Sequence, residues 1–190
     1  MSKNIKKDQF GFTVVELLLA LAIFSFILVA MTVAFSQIIR SYRKGVIAQR
    51  TQETSRELID TLTKEAHRAD SIVVNDIGST RFLCFGSTQY EYHITDKTLK
   101  RGTNNPATNC SDSNATVNVI ESTSLQLSLF DVTVVQAGPP SGETLGINVD
   151  IIVATKTTDL LNASGTACNG AAAGQHFCAT TRIATSIGLR

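Results

Sequence analysis

The sequence predicts an α+β protein in which one long N-terminal α-helix packs on a C-terminal antiparallel β-sheet domain. The helix is expected to be transmembrane in its first part and amphipathic in its second. Three observations support this fold class. The run from Phe12 to Phe35 is apolar except for one glutamate, and the segment after it keeps a helical period while carrying many charges. Beyond Asp70 the hydrophobic period changes to two, which is typical of half-buried strands.

The apolar run is long enough to cross a membrane. It has 24 residues from Phe12 to Phe35, which as a helix span roughly 36 Å against a hydrocarbon core of about 30 Å. The apolar core of a secretory signal peptide is shorter, about 7–15 residues, and is followed by a cleavage site of small residues. No such site follows this run, so we expect a membrane-spanning helix in which Glu16 is the one charged residue.

Residues 40–70 predict an amphipathic continuation of the same helix. Four apolar side chains fall on one narrow stripe at positions i, i+4, i+8 and i+11: Leu58, Leu62, Ala66 and Ala69. The other faces are charged, and no proline occurs before Pro106. We therefore expect a single helix from about Phe12 to Asp70, which is too long to be buried within its own domain.

Several later stretches alternate between apolar and polar residues as half-buried antiparallel strands do. The stretch "TQYEYHI" places Tyr90, Tyr92 and Ile94 on one face and Gln89, Glu91 and His93 on the other. "LQLSL", "GINVDIIVA" and "RIATSIGL" behave likewise, and "ITDKTLKR" predicts a hairpin turn between two short strands. Loops rich in Gly, Pro, Asn and Ser separate these stretches.

Composition argues against several function classes. The net charge is +1 and the pI is about 7.7, whereas a nucleic-acid-binding domain usually has a strongly basic face. A small basic group formed by Lys97, Lys100 and Arg101 leaves a phosphate or DNA contact open as an alternative to a solvated hairpin. No nucleophile elbow, H-E-x-x-H motif, P-loop or paired-carboxylate pattern appears. We expect no enzyme activity, no cofactor and no metal.

The four cysteines all follow Asp70, which favours an oxidising compartment. Cys168 and Cys178 flank a Gly/Ala-rich stretch, and a bridge between them would close a short loop and contribute about 2–4 kcal/mol. Cys84 and Cys110 would then pair by elimination. Two alternatives stay open: unpaired buried cysteines, and a metal site that adds His176 but has an incomplete ligand set.

The N-terminal stretch "KKDQFGFTVVELLLALAIF" resembles the class III signal of type IV prepilins and type II secretion pseudopilins. That family pattern has a basic leader ending in glycine, then phenylalanine, with glutamate as the fifth residue of the mature chain. Gly11, Phe12 and Glu16 match it position by position. The stretches "LIDTLTKEAHRADSIVV" and "ATTRIATSIGLR" also resemble the minor pilins called J in secretion systems and W in pili.

The resemblance implies a role for each matching residue. A prepilin peptidase would cut after Gly11 on the cytoplasmic side and methylate the new amine of Phe12. The Glu16 carboxylate would meet the N-terminal amine of a neighbouring subunit during assembly. At the centre of a span a lone carboxylate costs about 2.5–3.5 kcal/mol, and less near its end. The alternative is a tolerated interfacial glutamate at a helix N-terminus, where the helix dipole also favours it.

The resemblance also implies an organisation: a leader at 1–11, a transmembrane and assembly helix at 12–39, the amphipathic half at 40–70, and an external β-rich domain at 71–190. The expected partners are other pilin or pseudopilin subunits, prepilin peptidase and the inner-membrane assembly platform. The expected destination is a type IV pilus, a DNA-uptake pilus or a periplasmic secretion pseudopilus, reached from the cytoplasmic membrane. The alternative is a single-pass, membrane-anchored adhesin or binding module that does not polymerise.

Overall fold

The computed structural model describes residues 13–105, 110–111, 114–120, 124–136, 144–156, 160–169 and 177–188. Within these ranges the chain has one α-helix and eight strands: α1 (Val14–Ala66), β1 (Ile72–Ile77), β2 (Thr80–Phe85), β3 (Thr88–His93), β4 (Thr98–Thr103), β5 (Val117–Asn118), β6 (Leu125–Gln136), β7 (Thr144–Thr155) and β8 (Thr180–Gly188). The chain divides into two compact units between Tyr42 and Arg43.

The helix α1 is continuous over 53 residues, but it ends earlier than its apolar stripe predicts. The last turn tightens at its end, because the amide of Arg68 donates to the carbonyl of Glu65 (3.1 Å) and that of Ala69 to the carbonyl of Ala66 (3.3 Å). Hydrogen bonds from the amide of residue i+3 to the carbonyl of residue i are common where a helix terminates. Ala69 therefore lies beyond the helix, although it still packs against the core of the second unit.

The strands form two antiparallel sheets. The five-stranded sheet has the order β1-β2-β3-β4-β5, and the three-stranded sheet has the order β6-β7-β8. The alternating stretches named above fall on β3, β6, β7 and β8, so the predicted α+β fold class is confirmed. The strands β1 and β2 form a hairpin. Gly78 supplies its turn with a φ of 61°, a conformation that favours glycine.

In the second unit, the C-terminal half of α1 packs against both sheets. Its buried stripe holds Leu58 and Leu62 as predicted, but it begins earlier, with Thr51 and Ser55 at 0% exposure. The hydroxyl of Ser55 donates to the carbonyl of Thr51 (2.7 Å), and Thr181 of β8 donates to the Thr51 hydroxyl (3.0 Å). These small polar residues can be buried because their hydroxyls find partners.

The polar face of β3 is buried, which makes its predicted exposure wrong. Gln89 and Glu91 are 0% and 1% exposed. They pair in register with Cys84 and Phe82 of β2, and the Cys84–Cys110 disulfide holds the segment after β4 over this face. Both faces of the sheet are therefore covered at this point.

Two further expectations about strand faces are corrected. Ile94 is 49% exposed, because β3 ends one residue before it. In β6 the alternation of "LQLSL" is interrupted, since the register with β7 shifts between Leu127 and Leu129. The bulge at Ser128 turns Phe130, not Leu129, into the core.

Arg81 of β2 links the two sheets. Its guanidinium donates to the carbonyl of Phe130 (2.9 Å) and to the carboxylate of Asp131 on β6. It also forms an ion pair with Asp76 at 2.8 Å. The hydrogen bond from Arg81 to Asp76 raises the pKa of Arg81, so this cation stays charged throughout the ordinary pH range.

Candidate functional site

The helix α1 begins with a capping box. Thr13 immediately precedes the first helical residue, and its hydroxyl oxygen accepts a hydrogen bond from the Glu16 amide at 3.3 Å. The Glu16 carboxylate accepts hydrogen bonds in return from the Thr13 amide (2.9 Å) and the Thr13 hydroxyl (2.8 Å). This reciprocal arrangement satisfies amides that would otherwise have no partner at a helix N-terminus.

The capping box gives Glu16 a local role that the resemblance alone does not supply. The pattern Thr-x-x-Glu before an apolar run is a known sequence signature of a helix start, and it is present here as "TVVE". It was therefore detectable from the sequence. Glu16 remains exposed at the side of the helix, so its carboxylate can still accept a further donor from outside the chain.

The first unit presents an apolar surface with no packing partner among the described residues. Every residue from 13 to 45 is exposed, and α1 is long and apolar enough to cross a membrane by its length and composition. Large apolar side chains cover all sides of this segment, including Leu17, Leu18, Leu19, Phe26, Val29 and Met31. A surface of this kind requires lipid or other helices around it.

The few hydroxyls of the apolar segment are satisfied within the helix. Ser25 donates to the carbonyl of Leu21, Thr32 to that of Leu28, and Ser36 to that of Thr32, each at 2.8 Å. Back-bonding of this type satisfies the side-chain donor without a partner outside the helix. These residues therefore fit a helix that lies in hydrocarbon or in a bundle of helices.

The two residues of the expected cleavage site, Gly11 and Phe12, lie outside the described residues, and so does His176. The four cysteines are all bonded: Cys84 to Cys110, with 5.9 Å between their Cα atoms, and Cys168 to Cys178, with 5.8 Å. These are the two pairs considered from the sequence. Since both bridge sulfurs are used, Cys168 and Cys178 are not thiolate ligands of a metal. No group of three or more His, Cys, Asp or Glu side chains is gathered within the described ranges.

The basic hairpin is not a single cluster. Lys100 and Arg101 are neighbours on β4 and point to opposite faces of the sheet. The guanidinium of Arg101 forms an ion pair with Glu65 on α1. Lys97 lies in the turn with a φ of 53°. The structure thus separates three cations that are close in the sequence.

The described histidines have local partners or an exposed position. His93 Nε2 lies 2.9 Å from the buried Glu91 carboxylate, and its Nδ1 lies 3.3 Å from the Thr80 hydroxyl. His67 is exposed just past the end of α1. Glu91 lies two residues before His93 on the same strand, and Thr80 lies opposite His93 on the neighbouring strand β2.

Comparison with known proteins identifies the N-terminal segment. A family model described as the prokaryotic N-terminal methylation motif matches residues 6–32. The chain therefore carries the class III signal of a pilin-like prepilin, a signal that prepilin peptidase processes. The match covers about a seventh of the chain and leaves residues 33–190 without a family assignment. No curated protein and no solved structure matches the chain.

Proposed function

We propose that the chain is a structural subunit of the minor pilin or pseudopilin class, with resemblance to the J and W types. Prepilin peptidase cuts it after Gly11 and methylates Phe12. The mature subunit then leaves the membrane and joins a type IV pilus, a DNA-uptake pilus or a secretion pseudopilus. One observation carries this proposal: the methylation motif at residues 6–32 coincides with a helix that is exposed and apolar on every side.

The apolar side chains of this helix must be shielded from water, and assembly with other helices provides that shielding. Outside a membrane, the apolar side chains between Val14 and Ile39 must be buried against other helices. A head-to-tail contact between identical subunits that does not close into a ring generates a helical filament. A filament of such helices replaces the lipid contacts of each subunit with protein contacts.

Glu16 sets the axial position of each subunit in this proposal. Its carboxylate can pair with the methylated amine of a neighbouring subunit in an environment of low dielectric constant. Only one stagger of the two helices then satisfies both charges. The capping box offers a competing explanation, since Glu16 would then be needed only to begin its own helix. The two explanations differ in whether the charge or the hydrogen bond matters.

Two substitutions separate charge from capping. Glu16→Gln keeps a side chain that can complete the capping box, because glutamine also serves at this position, but it removes the charge. Thr13→Ala breaks the capping box and keeps the charge. If the charge directs docking, Glu16→Gln is strongly reduced in sheared surface fibres or in cross-links to partner subunits. Thr13→Ala then assembles at close to the wild-type level.

Both variants should be compared at equal membrane levels, and mass spectrometry should show Phe12 as the methylated N-terminus of each. If Thr13→Ala loses assembly while Glu16→Gln retains it, Glu16 acts through its own helix start. If both variants assemble normally, Glu16 is not a docking determinant. If neither the variants nor the wild type leaves the membrane fraction, the chain is an anchored module that does not polymerise.

A further inference from the structure

The segment that leads into β5 carries an asparagine motif. Asn114, Ala115 and Thr116 match the pattern N-x-[S/T], at which oligosaccharides are attached to asparagine in exported proteins. The pattern occurs twice more in the chain, beginning at Asn109 and at Asn162. Asn109 lies outside the described residues. The surroundings of the other two asparagines can be compared directly, and they differ.

The backbone of the Asn114 motif is held against β4. A Cβ atom placed on Gly102 would lie 2.6 Å from the Cα atom of Ala115 and 2.7 Å from the carbonyl oxygen of Asn114. Only a residue without a side chain therefore leaves room for this contact. Ala115 is 9% exposed, whereas Asn114 and Thr116 on either side of it are exposed. This alternation is typical of an extended segment, and it places the Asn114 amide and the Thr116 hydroxyl on the same, solvent-facing side.

The two side chains that define this motif are free to be recognised. Neither the Asn114 amide group nor the Thr116 hydroxyl has a hydrogen-bond partner within the ranges that the structure describes. An enzyme that binds these two groups therefore breaks no internal hydrogen bond of the second unit. The fixed backbone and the free side chains together present the motif at the surface of the domain.

The Asn162 motif has the opposite character, because its side chains are used within their own turn. Asn162 Oδ1 accepts hydrogen bonds from the amides of Thr166 (2.9 Å) and Ala167 (3.1 Å), and Nδ2 donates to the Thr166 hydroxyl (3.4 Å). The hydroxyl of Ser164, the third residue of this motif, lies 2.7 Å from the same Thr166 hydroxyl. Asparagine side chains commonly close turns in this way. Modification of Asn162 would have to break these contacts.

We propose that Asn114 is an N-glycosylation site. The donor is an oligosaccharide whose C1 carbon is linked to a polyprenyl pyrophosphate in the membrane, and a membrane-bound oligosaccharyltransferase catalyses the transfer. Nδ2 of Asn114 forms a bond to C1 and loses one proton, while the bond between C1 and the pyrophosphate oxygen breaks and the lipid pyrophosphate leaves with the bonding electrons. The step needs no oxidant or reductant.

The inference rests on the proposed function only in placing the second unit outside the cytoplasm, where the donor is expected. The two disulfides independently favour this placement. Assembly into a filament is not required. Glycosylation and assembly can therefore fail separately.

The test is mass spectrometry of the mature protein, purified from the membranes and from the sheared fibres of its native host. After reduction, a protease that cleaves before aspartate separates the three motifs into the peptides 96–111, 112–130 and 159–190. We expect the peptide 112–130 to carry an oligosaccharide and the peptide 159–190 to be unmodified. Fragmentation that leaves the glycan attached should locate it on Asn114.

Four substitutions test which groups are recognised. Asn114→Gln and Thr116→Val should each abolish the modification, because one removes the acceptor and the other the hydroxyl. Thr116→Ser should retain it, since serine also satisfies the motif. Asn162→Gln is the matched control and should leave the modification of Asn114 unchanged. Asn114 and Thr116 are exposed, so their variants should fold normally, and non-reducing peptide mapping of the Cys84–Cys110 bridge verifies this.

Each contrary result overturns the proposal in a distinct way. An unmodified peptide 112–130 from the native host means that the motif is not used. Equal modification of Asn162 means that the free or bonded state of the side chains does not select the site. A glycan that persists in Asn114→Gln and disappears in Thr116→Val is linked to the Thr116 hydroxyl instead. A modified chain that never enters fibres supports the glycosylation site and contradicts assembly, whereas fibres of unmodified chains do the reverse.

Discussion

Tyr90 and Tyr92 of β3 point into the same core but differ in their hydroxyl contacts. Both are almost fully buried, at 0% and 3% exposure. The Tyr92 hydroxyl donates to the carbonyl of Leu127 at 3.0 Å, whereas the Tyr90 hydroxyl has no hydrogen-bond partner in the described part of the chain. Burial raises the pKa of each tyrosine to about 12. At this depth the charged phenolate is poorly solvated.

These tyrosines should limit stability at alkaline pH. Unfolded tyrosine loses its proton near pH 10, while the native side chains keep theirs to about pH 12. The free energy of unfolding should therefore fall between about pH 10 and pH 12, by up to roughly 3 kcal/mol for each tyrosine. Tyr90→Phe should reduce this fall without the hydrogen-bond loss that Tyr92→Phe would cause.

The measurement is urea unfolding of wild type and Tyr90→Phe at pH 8, 10 and 11.5. Lysines titrate in the same range, so the informative quantity is the difference between the two proteins at each pH. A constant difference across the series would show that Tyr90 ionises at its ordinary pKa in the native state. At pH 8 the variant should be at least as stable as the wild type, because it removes a buried hydroxyl without a described partner.

At the scale of single elements, the local pattern predicts the strands better than it predicts their faces. Period two identifies β3, but the burial of Gln89 and Glu91 depends on a segment that Cys110 anchors. The covering segment is anchored at Cys110, which follows Cys84 by 26 residues. No short stretch of sequence contains both cysteines. In β6 the bulge at Ser128 reverses the alternation after Leu127, and a bulge depends on pairing with the neighbouring strand.

The same distinction applies to the functional elements. The capping box of Thr13 and Glu16 spans four consecutive residues, so the sequence contains its complete signature. The cleft lined by Ile47 and Leu125 brings together Arg50, Lys156 and Phe177 from three distant parts of the chain. Their proximity is a product of the tertiary fold, and nothing in the local sequence around any one of them indicates the other two.

The two disulfides should stabilise the second unit unequally. Cys84–Cys110 closes 26 residues and Cys168–Cys178 closes 10, and the chain-entropy relation gives about 3.5 and about 2.7 kcal/mol, respectively. The first bridge is also more buried, since both of its cysteines are 1% exposed beside Phe82. Its removal additionally loosens the cover over Glu91.

Cys84→Ser with Cys110→Ser should therefore lower the free energy of unfolding more than Cys168→Ser with Cys178→Ser. Urea unfolding under non-reducing conditions measures both losses, and peptide mapping verifies the remaining bridge in each variant. A reducing agent should shift the wild type further than either variant. A larger loss for the 168–178 variant would mean that the short bridge organises more of the domain than its loop length implies.

At the scale of the whole molecule, the buried core is confined to the second unit. The buried residues of the helix begin at Thr51, and the chain divides between Tyr42 and Arg43. Within the described ranges, no residue before position 46 has even intermediate burial. The membrane segment therefore makes no contribution to the packing that stabilises the sheets.

A chain shortened to residues 43–190 should consequently fold by itself and stay in solution without detergent. Its buried stripe remains complete, because Thr51, Ser55, Leu58 and Leu62 are all retained. Its midpoint of thermal unfolding should match that of the second unit in the full-length protein within a few degrees. Leu62→Ala provides the contrast, since this fully buried side chain should lower the free energy of unfolding by about 2–5 kcal/mol in either length of chain. Circular dichroism and light scattering measure these outcomes. If the shortened chain aggregates or unfolds without a cooperative transition, the exposed apolar helix supports the domain in a way that its lack of buried contacts does not suggest.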